Sequence, residues 1–96
     1  MKRENAFQAS LINELKETFS GCIVLKNDSS YMQGIPDLSI FFGDKWAMLE
    51  CKKNAKADHQ PNQDRYVAAA KSMSYAAFIY PENKDEVIKE LKQHFA

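Results

Sequence analysis

A predicted β-hairpin at residues 34–53 constrains the fold of this chain more than any other segment. Its turn, at 42–45, reads Phe-Gly-Asp-Lys, and glycine at the first central position is typical of a two-residue type II′ turn. Residues with high β-propensity lie on both sides of the turn. A two-residue turn also fixes which residues face each other, and this register places Asp37 directly opposite Glu50.

Two facing carboxylates repel each other, so the hairpin predicts a positive group between them. Opposed residues have Cβ atoms about 4.5–5.5 Å apart. Lys52 follows Glu50 by two positions and therefore points to the same face of the sheet. A divalent cation with oxygen ligands fits beside Asp37 and Glu50, with the lysine as a companion group.

The alternative is that these charges are solvated, as short motifs on protein surfaces often are. Apolar residues on both faces of the hairpin argue against this alternative, because they predict a sheet that is covered on both sides. Charges on such a sheet are costly unless they are paired or bound to a metal.

Length and composition limit the possible functions. With 96 residues, the chain is expected to form a single domain over 1–96. The formal net charge is zero, so binding to DNA has to use a local patch. Nothing in the sequence resembles a signal peptide, and no apolar run approaches the roughly 18 residues of a membrane span, so we expect no membrane partner and a cytoplasmic location. Cys22 and Cys51 lack metal-ligand spacing and are expected to be reduced core residues rather than zinc ligands.

Periodic apolar residues predict the remaining elements. They indicate helices at 4–19 and 61–73 and a last helix that Asn83 is expected to cap, with strands at 22–26 and 75–80. The expected inner stripes are Phe7, Leu11, Ile12, Leu15 and Phe19; Tyr66, Val67, Ala70 and Met73; and Val87, Ile88, Leu91 and Phe95. The order α-β-β-β-α-β-α predicts an α/β fold with a mixed four-stranded sheet flanked by helices.

Further polar residues are candidates for substrate contacts. Glu4 and Gln8 fall in the apolar sector of the first helix, where they either face the hairpin carboxylates or belong to a frayed first turn. Lys52, Lys53 and Lys56 form either a patch that faces phosphate or a solvated loop. The polar loop at 27–33 offers contacts to phosphate or base through Ser29, Ser30, Tyr31 and Gln33. His59 is expected to be a surface or capping residue rather than a metal ligand.

The hairpin residues also resemble a known family. Pro36-Asp37, followed after twelve residues by Glu50-Cys51-Lys52, resembles the signature of the PD-(D/E)XK nuclease superfamily, whose core order is αβββαβ. Three further features resemble its virus-type replication-repair nuclease branch (VRR-NUC). They are Glu4 with Gln8 in the first helix, Gly34 just before Pro36-Asp37, and Gln63 at the start of the helix after the lysine. The resemblance covers nearly the whole chain. Small stand-alone members of this branch are typical of phages and resemble Holliday-junction resolvases.

The resemblance implies a Mg²⁺- or Mn²⁺-dependent DNA endonuclease, selective for DNA structure. Asp37, Glu50 and the backbone carbonyl of Cys51 would ligate the metal, and Glu4 would bind a second metal or its water shell. Lys52 would orient or deprotonate the attacking water, and Gln63 would hold Lys52 or a metal-bound water. Opposite charges favour the charged form of a lysine, so we expect Lys52 to act electrostatically rather than as a general base.

A second class of function stays open, namely a non-catalytic module that binds nucleic acid or protein and retains the fold. The zero net charge favours such a module, whereas the intact acidic and lysine positions favour the enzyme. We further expect a homodimer, because cutting both strands of DNA calls for two active sites and two-fold dimers are the commonest oligomers. A monomer that nicks one strand is the alternative. The expected interface uses exposed aromatic residues, namely Tyr31, Trp46 or Tyr75, or the C-terminal helix that ends in Phe95.

Overall fold

The computed structural model describes the backbone from residue 3 to residue 96 and the side chains from residue 5 onward. The elements follow the predicted order: α1 (Arg3–Thr18), β1 (Ile23–Lys26), β2 (Leu38–Phe42), β3 (Lys45–Cys51), α2 (Pro61–Met73), β4 (Tyr75–Ile79) and α3 (Lys84–Phe95). Each boundary lies within about two residues of its expected position. Among the described residues, no helix is long and apolar enough to cross a membrane.

The four strands form a mixed sheet in the order β1-β2-β3-β4. β2 is antiparallel to both β1 and β3, and β4 runs parallel to β3. A parallel neighbour requires a crossover connection, which α2 provides between β3 and β4. The predicted mixed sheet is confirmed.

The β2–β3 hairpin has the register that its turn predicts. Leu38 pairs with Leu49 at one end and Phe42 with Lys45 at the turn. Gly43 has φ of +64°, and no described non-glycine residue has a positive φ. A type I′ turn needs a positive φ at both central residues, so the turn is type II′ as expected.

Helices α1 and α3 cover one face of the sheet and form the larger core with it. The expected stripes of both helices supply this core, in which Leu11, Leu15, Phe19, Val87, Ile88 and Leu91 are buried. Alternate residues of β3, such as Leu49, point into it, while Trp46 and Met48 point to the opposite face and pack with α2. Strand periodicity thus separates two apolar layers.

The second face is only partly covered, which corrects the prediction of a sheet covered on both sides. In the described part of the chain, α2 packs on this face over β3 and β4. A helix is about 10 Å wide and strands are about 4.8 Å apart, so one helix covers about two strands. Three apolar side chains of β1 and β2 therefore stay exposed, namely Ile23 (59%), Leu25 (49%) and Phe41 (42%). We call these three residues the open face.

Several smaller expectations change as well. Met73 is 73% exposed rather than part of the inner stripe of α2, because it lies in the last turn, beyond the sheet contact. Asn83 occupies the N-cap position of α3, but its side chain bonds backward to Tyr80 N and Phe78 O. Cys51 is fully buried in the core as predicted, and Cys22 is half-buried beside it, where burial raises the pKa of its thiol.

Candidate active site

The start of β2 and the end of β3 bring the two predicted carboxylates together. The main-chain N–H of Asp37 donates to Glu50 Oε1 at 3.2 Å, and the main-chain N–H of Cys51 donates to Asp37 Oδ2 at 2.9 Å. Each carboxylate thus accepts a hydrogen bond from the opposite strand. Bonds from N–H groups to ionised oxygens are stronger than neutral ones and offset part of the repulsion between the carboxylates.

Lys52 lies on the same side of the sheet, as the alternation predicts. Glu50 is 4% exposed and Lys52 is 6% exposed. The Lys52 Nζ is 3.8 Å from Glu50 Oε2 and donates hydrogen bonds to the carbonyl oxygen of Asp58 (3.0 Å) and to Gln63 Oε1 (2.7 Å). A buried charge is tolerated only with partners of this kind.

Gln63 connects the two buried charges. Its Nε2 donates to Glu50 Oε2 at 3.1 Å, while its Oε1 accepts the hydrogen bond from Lys52. The same Oε1 accepts the main-chain N–H of Gln60 at 3.0 Å, which caps the first turn of α2. A single amide therefore caps a helix, holds the ammonium and orients the carboxylate.

Gly34 positions the start of α2 against the start of β2. Its φ is +91°, a conformation that favours glycine. A Cβ atom at this position would lie 2.7 Å from Asn62 Cγ, and Asn62 Nδ2 donates to the carbonyl of Gln33 at 3.2 Å. Only glycine allows the N-terminal turn of α2, which carries Gln63, to approach this closely.

Two solved structures share this architecture. One, described as a "VRR_NUC domain", matches over the whole of both chains with a TM-score of 0.73 and 18% sequence identity. The other, a "VRR_NUC domain protein", matches 98% of this chain and 88% of its own length with a TM-score of 0.68 and 18% identity.

The chain has the VRR-NUC fold. No family model matches the sequence, and no curated protein matches it either. At 18% identity the likeness lies in the three-dimensional structure, which confirms the expected fold.

In this VRR-NUC fold, the loop between β3 and α2 forms a wall of the site. The ring of His59 stacks on Phe78 with centroids 3.9 Å apart and an angle of 21°, and His59 Nδ1 lies 2.9 Å from Asp64 Oδ1. Phe78 is the register neighbour of Glu50 in the sheet. His59 thus attaches this loop to the sheet, and the loop carries the Asp58 carbonyl that accepts a hydrogen bond from Lys52. Sequence reasoning missed Asp58 and Phe78, because a backbone carbonyl and a lone aromatic leave no recognisable pattern.

Apart from Glu4, the remaining predicted residues lie on two loops, one after β3 and one between β1 and β2. Lys53 and Lys56 are exposed on the loop after β3. Ser30 is exposed, and both its N–H and its Oγ donate to Asp28 Oδ1, at 2.8 and 2.6 Å. Gln33 is exposed near the start of α2. The prediction for the side chain of Glu4 lies outside the described residues.

The oxygen atoms of the site suit a hard divalent cation. Asp37, Glu50 and the Cys51 carbonyl offer oxygen ligands, whereas the Cys51 side chain is buried in the core on the other face. No group of three or more His, Cys, Asp or Glu residues that could hold a metal occurs among the described side chains. Mg²⁺ keeps several of its waters and needs only one or two carboxylates, so the residues fit this ion better than zinc.

Proposed function

We propose that this chain is a Mg²⁺- or Mn²⁺-dependent DNA endonuclease that hydrolyses phosphodiester bonds and selects its substrate by structure. One observation carries the proposal: a buried Glu50 and a buried Lys52 share the Gln63 amide beside Asp37. Burying such charges is expensive for a small domain, which favours a functional role for them. The likeness of the fold to VRR-NUC domains supports the proposal.

Asp37, Glu50 and the Cys51 carbonyl would hold the divalent ion, and Glu4 would serve a second ion or its water shell. When bound, such an ion polarises the phosphoryl oxygen and lowers the pKa of bound water. Lys52 donates to two oxygen acceptors, which keeps its N–H groups directed within the site. Its proposed role is to stabilise the negative charge that develops on the phosphate rather than to remove a proton. Gln63 keeps Lys52 in place for this role.

The proposed DNA contacts are local because the net charge is zero. Exposed Lys53 and Lys56, on the loop that follows β3, would supply positive charge, with Ser30 and Gln33 as further contacts. The two-residue hairpin turn leaves no insertion for reading base sequence, which favours recognition of DNA shape. The same proposal includes a role in phage DNA replication, repair or recombination, similar to that of a Holliday-junction resolvase. The protein would act in the host cytoplasm.

We also propose a homodimer, because cutting two strands calls for two sites. Of the aromatic residues expected at its interface, Tyr31 is exposed, whereas Trp46 packs with α2 and Phe95 packs against other core rings. Tyr75 packs on the larger core and bonds to Glu90. The open face is the better candidate, and light scattering should give twice the 11.0 kDa monomer mass. A monomer in the presence of DNA and metal would contradict it.

Cleavage of a panel of DNA substrates tests the enzymatic proposal. The panel contains a four-way junction, a flap, a mismatch and a plain duplex, each with Mg²⁺, with Mn²⁺ and with EDTA. Cleavage should require metal and disappear in Glu50→Gln. The matched control is Glu17→Gln, an exposed position of α1, which should cut like the wild type.

Cleavage in EDTA, or cleavage by Glu50→Gln, would contradict the proposal. Binding of DNA without metal and without cleavage of any substrate would favour the non-catalytic module instead.

A further inference from the structure

A cleft of about 470 Å³ lies beside the candidate active site. Its walls are formed by Asn27, Asp28, Tyr31, Met32, Ile35 and Met48. Met48 precedes Glu50 by two residues on β3, so both side chains point to the same face, about 6.6 Å apart along the strand. On the other side, the main-chain N–H of Asn27 donates to the carbonyl of Asp37 at 2.8 Å. The cleft and the carboxylates therefore share one surface and the same strands.

The lining of the cleft is largely apolar, yet much of it stays in contact with water. Tyr31 is 86% exposed and Met32 is 39% exposed. Aromatic side chains beside a nucleic-acid path act as stacking platforms for bases, and methionine sulfur makes favourable contacts with aromatic rings. The volume lies in the range of about 300–1,000 Å³ that is typical of small-ligand pockets.

Two polar side chains of the cleft, Asn27 and Asp28, offer hydrogen-bond acceptors. Asn27 Nδ2 donates to the carbonyl of Pro36 and to Ser39 Oγ, both at 2.9 Å. Because a carbonyl only accepts, these bonds fix the orientation of the amide and leave Oδ1 as its acceptor. The two hydrogen bonds from Ser30 lower the pKa of Asp28, which favours its ionised form. An acceptor-rich, negative rim repels phosphate and suits the amino groups of a nucleobase.

We propose that this cleft binds an unpaired nucleobase of the DNA strand whose phosphate lies at Asp37 and Glu50. The inference rests on the proposed function, and the unpaired base is the feature by which the substrate is selected. A base inside a duplex is stacked and paired, and moving it out costs a few kcal/mol, least for a base that is already unpaired. The cleft therefore favours junctions, flaps and bulges over plain duplex.

Binding to DNA tests the proposal. A duplex with a single bulged 2-aminopurine is compared with the fully paired duplex by fluorescence, with Ca²⁺ in place of Mg²⁺ so that a cation with oxygen ligands offsets the charge of Asp37 and Glu50. Stacking on Tyr31 should quench the bulged base. One base–aromatic stack is worth about 1–3 kcal/mol, so Tyr31→Ala should weaken binding of the bulged DNA about 5- to 150-fold and leave the paired duplex unchanged.

Two variants serve as controls. Tyr31→Phe keeps the ring, and Met73→Ala removes another exposed apolar side chain at the far end of α2. Both variants should bind like the wild type. Equal losses on bulged and paired DNA, or no quenching in the wild type, would overturn the proposal. A change of molecular mass in Tyr31→Ala would also overturn it, because Tyr31 would then belong to an interface between two copies.

The two proposals fail separately in this design. Base quenching without any cleavage by the wild type, in any metal, would overturn the nuclease and keep the cleft. Metal-dependent cleavage without quenching would overturn the cleft and keep the nuclease.

Discussion

Replacing Gly34 by alanine should destabilise the fold through two physical effects that glycine avoids. The first is the backbone conformation, because φ is +91° and a Cβ atom in the left-handed region costs about 1–2 kcal/mol. The second is steric, because the new Cβ would lie 2.7 Å from Asn62 Cγ and 3.0 Å from the main-chain carbon of Asn62. Overpacking of this kind costs about 1–3 kcal/mol more. The expected loss is therefore about 2–5 kcal/mol of unfolding free energy.

The chain contains a matched control for this variant. Gly21, which follows α1, also has φ of +91°, but a Cβ there meets no described atom within 4 Å. Gly21→Ala should therefore lose only the conformational part, about 1–2 kcal/mol. Urea denaturation of both variants, with an unchanged m-value, gives the difference between them as the cost of the contact with Asn62.

Cleavage activity gives a second comparison between Gly34→Ala and Gly21→Ala. The neighbour of Asn62 is Gln63, so a displaced first turn of α2 would move the amide that holds Glu50 and Lys52. At a temperature where both variants are folded, cleavage should fall in Gly34→Ala and stay near wild type in Gly21→Ala. Equal losses of stability in the two variants would refute the reasoning, because the close approach of α2 would then carry no cost.

Three further predictions concern named side chains. Lys52→Ala should lower the cleavage rate about 10²–10³-fold by removing transition-state stabilisation. Lys53 is exposed on the loop, so Lys53→Ala should keep a cleavage rate within a few-fold of the wild type. Equal losses of rate would contradict the assignment of Lys52 to the face of the sheet that carries the site. Gln63→Ala should cost about 1.5–3 kcal/mol in urea denaturation for each hydrogen bond lost to a buried charge, and a loss below about 0.5 kcal/mol would contradict the shared-amide geometry. Burial and the hydrogen bond to Glu90 raise the pKa of Tyr75, so the stability from this phenol is complete below about pH 10 and declines as the pH rises further. The advantage of the wild type over Tyr75→Phe should accordingly shrink above about pH 10 in thermal melts, and a constant difference would contradict this pKa shift.

Local sequence determined the elements and the carboxylate pair. A glycine at the first position of a two-residue turn specifies the hairpin, and the period of two then assigns each hairpin residue to a face. Asp37 therefore had to lie opposite Glu50, with Lys52 on the same side, and the register of β2 and β3 agrees. The helices follow from the period of their apolar residues in the same way.

Contacts between distant segments were decided only by the tertiary structure. An apolar pattern indicates that a face is buried but not which element covers it. The sequence therefore could not predict that α2 spans two strands and leaves Ile23, Leu25 and Phe41 exposed. The partners of Lys52 include a backbone carbonyl, at Asp58, which every residue type carries equally. Its position depends on how the loop after β3 packs against the sheet, and that packing is a property of the whole fold.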